Sequence, residues 1–273
     1  MADRLRPETQ REETVVSPEE LAARYERVDY GPARTGWWCP GDASRLPVVL
    51  AHGYCRSANA VGSDAAPVLD AASDLHAAGH PVLAMTFGYA TGAYPFGAGW
   101  REAQDVWTAC AWVASETGAP ALVWGFSAGA HAAVLAASLP GPVSAVVSDS
   151  PVVDLVQLVR SECVRRSHLP PAVFGPLRCA IPLMAGARPV DLSRHRIGEV
   201  YPVPALVVHA GRDDLISSEA ADVVRRITGG HVWEVAGAAH TQGYRVARHA
   251  YFTRVQRLLE EVDGHPSPTW PAS

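Results

Sequence analysis

Gly125-Phe126-Ser127-Ala128-Gly129 places a serine between two glycines at a G-x-S-x-G spacing. A serine hydroxyl is a poor nucleophile unless a base takes its proton, and that base needs an acid to fix its tautomer. The spacing suits a sharp turn from a strand into a helix. In such a turn the serine backbone is strained, and a Cβ at either flanking position would strike the turn. The chemistry implied is acyl transfer, and its developing oxyanion needs two preorganised donors. One donor is expected from the backbone N–H of Ala128, which opens the helix after Ser127. The other is expected from the loop after an earlier strand, where His52-Gly53-Tyr54 stands. Gly53 allows a tight turn that aims the Tyr54 N–H inward, and the His52 side chain is expected to be structural.

The acid and base should follow in the order serine, acid, histidine, each just beyond a later strand. Pro204 to His209 reads as a strand running into Ala210-Gly211-Arg212-Asp213-Asp214. Counting from the strand selects Asp213, whereas counting from Gly211 favours Asp214; Asp213 is the acid expected here, with Asp214 as its alternative. His240 follows the last apolar strand in Gly237-Ala238-Ala239-His240 and precedes the final helix, where a base must hang to reach Ser127. The other candidates fit less well: His231 precedes that strand, His249 lies inside the final helix, and His131 sits one turn into the helix after Ser127.

The elements that must hold these residues are legible as apolar runs alternating with helical patterns. Strands are expected at 47–51, 81–85, 121–124, 143–147, 205–208 and 232–235. Helices are expected at 64–78, 101–116, 128–138, 218–227 and 244–262. The strands are apolar throughout, which means burial on both faces and a mostly parallel sheet with helices on each side. In such sheets ligands bind at the carboxyl ends of the strands. Residues 154–200 separate two strands and form a modest helical cap inserted in a domain spanning 21–263. The segments 1–20 and 264–273 read as loosely held tails. Glycine-rich residues after the strand at 81–85 carry Phe87, Tyr89, Tyr94 and Phe96, aromatics that could line an apolar substrate pocket or simply cover the sheet edge.

Composition narrows the partners. Of 273 residues, 48% are hydrophobic and 19% charged, as in ordinary globular proteins. The net charge of −5 and the lack of a basic block argue against nucleic acid. Cys39, Cys55, Cys110, Cys163 and Cys179 form no C-x-x-C pair, so reduced thiols, no metal and a cytoplasmic location are expected. The amino terminus lacks the apolar stretch of a signal peptide, and no run reaches the roughly 20 apolar residues of a membrane helix.

From about Tyr25 to Val262 the chain resembles the α/β-hydrolase-fold enzymes related to the serine aminopeptidase and dipeptidyl-peptidase group. The resembling pieces, in the family's order, are Gly36 to Gly41, His52-Gly53-Tyr54, Arg101-Glu102-Ala103-Gln104-Asp105, Gly125 to Gly129, Ser148-Asp149-Ser150-Pro151, Val207 to Ile216 and Gly237 to His240. The resemblance implies the triad Ser127, Asp213 and His240 and no cofactor. Its acid stands in an H-G-x-x-D-type segment, here His209-Ala210-Gly211-Arg212-Asp213, with Ala in place of the usual Gly. A D-x-R-G-x-G-like loop carried by many relatives is replaced here by the aromatic segment 87–97. The expected activity is hydrolysis of a carboxylic ester or thioester in a small-molecule acyl substrate. An acyltransferase or cyclase with the same triad, a peptidase, and a non-catalytic binding protein on the same scaffold are the alternatives. A homodimer is compatible with this reading.

Overall fold

The structure, a computed structural model, describes residues 21–55, 61, 67–167, 169–194 and 203–263. Both tails, the expected helix start at 64–66 and the last residues of the expected cap, 195–200, lie outside the described residues.

Eight strands form one sheet: β1 (Glu26–Gly31), β2 (Arg34–Cys39), β3 (Val48–Ala51), β4 (Val82–Thr86), β5 (Ala121–Phe126), β6 (Val143–Asp149), β7 (Ala205–Ala210) and β8 (His231–Val235). Their spatial order is β1-β2-β4-β3-β5-β6-β7-β8. The strands from β4 and β3 through β8 run parallel, whereas β1 and β2 are antiparallel to their neighbours. Strands β3 to β7 are buried along their whole length, in keeping with their largely apolar sequences, whereas β8 at the edge is mostly exposed and departs from the expected burial on both faces. Cross-over helices α1 (Val68–Ala77), α2 (Trp100–Thr117), α3 (Ala128–Ala136) and α6 (Ser218–Thr228) connect the parallel strands. The carboxyl end of the chain contributes the short α7 (Gly243–Val246) and α8 (Arg248–Asp263), which the sequence pattern had merged into one helix. Glycines at φ +75 and +70, Gly118 and Gly229, end α2 and α6 in the left-handed conformation that a Cβ disfavours.

Two apolar layers sandwich the sheet. One gathers Val49, Met85, Val106 and Val123; the other gathers Leu50, Leu75, Trp124, Tyr244 and Tyr251. This packing fixes β3, β5, β6, β7 and β8 side by side with their carboxyl ends at one rim. Between β6 and β7 the segment 155–194 supplies α4 (Leu155–Ser167) and α5 (Leu177–Ala185), and of its described residues only Leu155, Ala185 and Leu192 are buried. Arg101 at the start of α2 ties it down by donating to the carbonyls of Ala185 and Gly186, at 3.4 and 3.0 Å.

Candidate active site

Strand β5 ends at Phe126 and α3 begins at Ala128, so Ser127 alone makes the turn. Its backbone sits at φ +53, in a region that costs a non-glycine residue of order 1–3 kcal/mol. The flanking glycines are required by close packing. A Cβ on Gly125 would lie 2.3 Å from the Gly129 carbonyl oxygen, and one on Gly129 would lie 2.3 Å from that of Ala51. The first clash is within the turn. The second is with the end of β3, so Gly129 also sets how closely the helix approaches the His52–Tyr54 segment.

His240 and Asp213 meet Ser127. The His240 Nε2 lies 2.9 Å from Ser127 Oγ, and its Nδ1 lies 2.7 Å from Asp213 Oδ2. Asp213 Oδ1 accepts the backbone N–H groups of Leu215 and Ile216, at 3.0 and 2.9 Å. Burial pushes the Asp213 carboxyl up, but the hydrogen bond and charge of His240, with those two amides, outweigh it and hold it below the usual range. An ionised Asp213 accepts from Nδ1–H, which leaves Nε2 free to accept a proton from Ser127. Of the two neighbouring acids the sequence left open, Asp213 is the one that meets His240, whereas Asp214 is exposed. The loops of acid and base are stitched together: Gly211 N–H donates to Val235 and Arg212 N–H to Ala238. Of the other histidines, His131 is fully buried, with Nδ1 on the Val152 carbonyl at 2.7 Å.

The segment after β3 passes directly beside the serine: a Cβ on Gly53 would lie 3.5 Å from Ser127 Cβ. His52 is buried, with Nδ1 at 2.5 Å from the Gly53 carbonyl and Nε2 accepting Phe87 N–H at 3.3 Å. Burial lowers its pKa to about 4, so the ring is neutral, with the proton on Nδ1. The Tyr89 hydroxyl donates to the same Gly53 carbonyl at 3.2 Å. In a trans peptide the N–H points opposite the C=O. Holding the Gly53 carbonyl on His52 and Tyr89 therefore turns the Tyr54 N–H the other way. The Ala128 N–H opens α3 and has no acceptor one turn back, and the partial positive end of the helix faces the same place.

The aromatic segment divides. Phe87 and Tyr89 are buried, 1% and 5% exposed, and the Tyr94 hydroxyl donates to Asp105 at 2.5 Å. Tyr54, 52% exposed, and half-buried Phe96 pack with ring centroids 4.9 Å apart, and Tyr54 directly follows Gly53, which passes beside Ser127. Two acids of α2, to which the sequence reading assigned no role, anchor this segment. Asp105 accepts Gly88 N–H at 2.8 Å and pairs with Arg34 at 2.8 Å. Glu102 accepts the Gly97 and Gly99 amides, both at 2.9 Å.

Asp149 also gained no role from sequence. It ends β6 fully buried, its carbonyl accepts Ser127 N–H at 2.8 Å, and its carboxylate accepts Ser150 and Tyr251 hydroxyls. The one signal was an acid closing an apolar strand, a costly group to bury unless hydrogen-bonded. Among the described residues no group of three or more His, Cys, Asp or Glu could hold a metal ion, and no helix is long and apolar enough to cross a membrane.

No protein-family model matches the chain, and no curated protein matches it in sequence. Solved structures do. A Pyrococcus furiosus esterase aligns at TM-score 0.71 and 21% identity, over 90% of this chain and 94% of that one. The native esterase Est2 of Thermogutta terrifontis aligns at TM-score 0.65 and 20% identity, over 90% and 95%. An alpha/beta hydrolase enzyme from the metagenome of Mar Chica lagoon sediments in Morocco aligns at TM-score 0.56 and 16% identity, over 87% and 99%. None of the three is named an aminopeptidase. Strand order, parallel register and these neighbours agree on one architecture: the chain has the α/β-hydrolase fold.

Proposed function

We propose that this protein is a serine hydrolase that cleaves a carboxylic ester or thioester of a small molecule through an acyl-enzyme on Ser127. The observation that carries the reading is the unbroken relay Ser127 Oγ–His240–Asp213, with links of 2.9 and 2.7 Å. His240 Nε2 takes the serine proton as Oγ attacks the substrate carbonyl. The Tyr54 and Ala128 N–H groups receive the oxyanion, each worth roughly 3 kcal/mol in the transition state. Asp213 keeps the imidazole in the productive tautomer and stabilises the imidazolium. His240 then protonates the departing alcohol or thiol, and a water activated by the same ring releases the acid.

The esterases among the similar structures favour this reading over peptide cleavage. The Tyr54–Phe96 surface supplies an apolar contact for the acyl or alcohol group, while Phe87, Tyr89 and Tyr94 hold its shape from behind. None of the five cysteines is in a disulfide, which fits the cytoplasmic location we assign.

A fluorophosphonate probe combined with a chain-length series of p-nitrophenyl esters tests the proposal. Wild type is expected to be labelled and to turn over, and Ser127→Ala to lose labelling and about 10⁵-fold or more in kcat. A folded wild type that neither labels nor hydrolyses any ester is a binding protein. Labelling with turnover only in the presence of an acceptor alcohol or amine identifies an acyltransferase.

A further inference from the structure

Among the described residues, the non-glycine positions with positive φ are Ala33, Ala98, Ser127, Ser150 and Thr241. Three of them, Ser127 at +53, Ser150 at +50 and Thr241 at +58, belong to one hydrogen-bonded cluster at the end of β6. Such conformations persist only where the surroundings over-determine them. Here the determinants can be traced atom by atom. Ser127 N–H donates to the Asp149 carbonyl at 2.8 Å, and Ser150 N–H donates to Val208 at 2.9 Å. The Ser150 hydroxyl donates to Asp149 Oδ1 at 2.9 Å, and the Tyr251 hydroxyl donates to Oδ2 at 2.8 Å. The Thr241 N–H donates to Ser150 Oγ at 3.2 Å, and the Thr241 hydroxyl donates to the His240 carbonyl at 2.7 Å.

On the hydrolase reading above, we infer that Asp149 and Ser150 are positioning residues for the base: Asp149 orients the Ser150 hydroxyl, and Ser150 holds the peptide that carries His240. A hydroxyl has one proton. Because Asp149 takes it, the Ser150 lone pair faces the Thr241 N–H. The 240–241 peptide is thus held at its carbonyl by Thr241 and at its N–H by Ser150, which fixes the direction of the His240 Cα–Cβ bond before Asp213 orients the ring. The Asp149 carbonyl holds the nucleophile turn as well, so serine and histidine are registered to one strand end. A buried apolar residue would serve the sheet at lower cost than a buried carboxylate, whose pKa burial raises to about 6. The carboxylate earns its place through the hydroxyls it aligns.

Ser150→Gly in the full chain separates positioning from shape. Glycine adopts φ +50 more easily than serine, so the backbone conformation is preserved while the hydroxymethyl group, and with it the hydroxyl, is lost. The expected result is an unchanged circular dichroism spectrum, KM for a p-nitrophenyl ester within about twofold, and kcat lower on the order of 10- to 100-fold. The far-downfield proton resonance of the His240–Asp213 hydrogen bond should shift or broaden. Should Ser150→Gly fail to fold, Asp149→Asn, which offers one acceptor oxygen where the two hydroxyls now share two, is read in the same way. Wild-type kcat together with an unmoved imidazole resonance overturns the inference. The resonance needs no substrate, so a wild type inert toward esters would sink the hydrolase reading while still reporting whether Ser150 holds His240.

Discussion

Replacing His52 by asparagine attacks the Tyr54 donor through its support. His52 joins two groups, donating to the Gly53 carbonyl at 2.5 Å and accepting from Phe87 N–H at 3.3 Å. Asparagine is too short to reach both, so one of the two bonds is lost, and a Phe87 N–H left without its acceptor costs about 1–3 kcal/mol. Tyr89 still holds the Gly53 carbonyl, so the Tyr54 N–H should wander rather than turn away. The expected loss in kcat is about 10- to 100-fold, below the 10²–10³ of a donor removed outright. A second signature comes from acid stability. In the unfolded chain this ring binds a proton near pH 6.5, but burial delays that to about pH 4 in the folded state. Between those values the unfolded state binds more protons. The stability His52 contributes is therefore complete above pH 6.5 and is lost as pH falls toward 4, by roughly 3 kcal/mol in all. His52→Asn should start less stable at pH 7.5 and lose less on acidification. The assays are kcat and KM on p-nitrophenyl acetate at one pH near 8, and urea denaturation from pH 7.5 to 4. Unchanged kcat, or wild type and variant losing stability in parallel between pH 6.5 and 4, would refute the reasoning.

Asp213→Asn should lower kcat by about 10⁴-fold by favouring the wrong His240 tautomer, while Asp214→Asn, on an exposed side chain, should leave the same ester assay unchanged. Gly129→Ala places a Cβ 2.3 Å from the Ala51 oxygen and 2.6 Å from the His52 oxygen; thermal melting should show a loss of at least about 1–3 kcal/mol, with kcat reduced because β3's end is pushed from the nucleophile. Phe96→Ala should raise KM for longer acyl chains several-fold more than for acetate, read from the p-nitrophenyl series. Asp149 titrates near 6 when folded against 3.8 when free, so the folded state binds more protons between those values and stability falls as pH rises through them. Asp149→Asn removes that dependence, and denaturation at pH 4 and 7 should show it gaining up to roughly 3 kcal/mol relative to wild type at the higher pH.

Much of this architecture was legible because it is written locally. An apolar run such as Val48 to Ala51, too short for a helix, reads as a strand buried on both faces, and five of the six expected strands, β3 to β7, are buried in that way. The sixth, β8, carries Glu234 and is mostly exposed at the sheet edge, where one flank has no neighbouring strand among the described residues. Gly125 and Gly129 mark the nucleophile turn because its close approaches forbid a Cβ. The hairpin β1–β2 escaped because Glu26–Gly31 and Arg34–Cys39 mix charged and aromatic residues, and β1 lies at the sheet edge with most of its residues exposed or half-buried. Phe87 and Tyr89 illustrate a different gap: composition placed aromatics near the strand ends, but only packing decided that these two are buried while Phe96 stays half-buried.

The sequence by itself determined the order of elements, the nucleophile turn and the histidine after the last strand, since each depends on residues a few positions apart. Which of two adjacent acids faces His240, how His52 turns the Gly53–Tyr54 peptide, and that Asp149 and Ser150 grip the loop of His240 were decided only in the tertiary structure. The reason is physical: a hydrogen bond between Thr241 and Ser150 spans 91 residues of chain, and its angle and length are set by how β6 and the final loop pack, which no local pattern of residue types encodes.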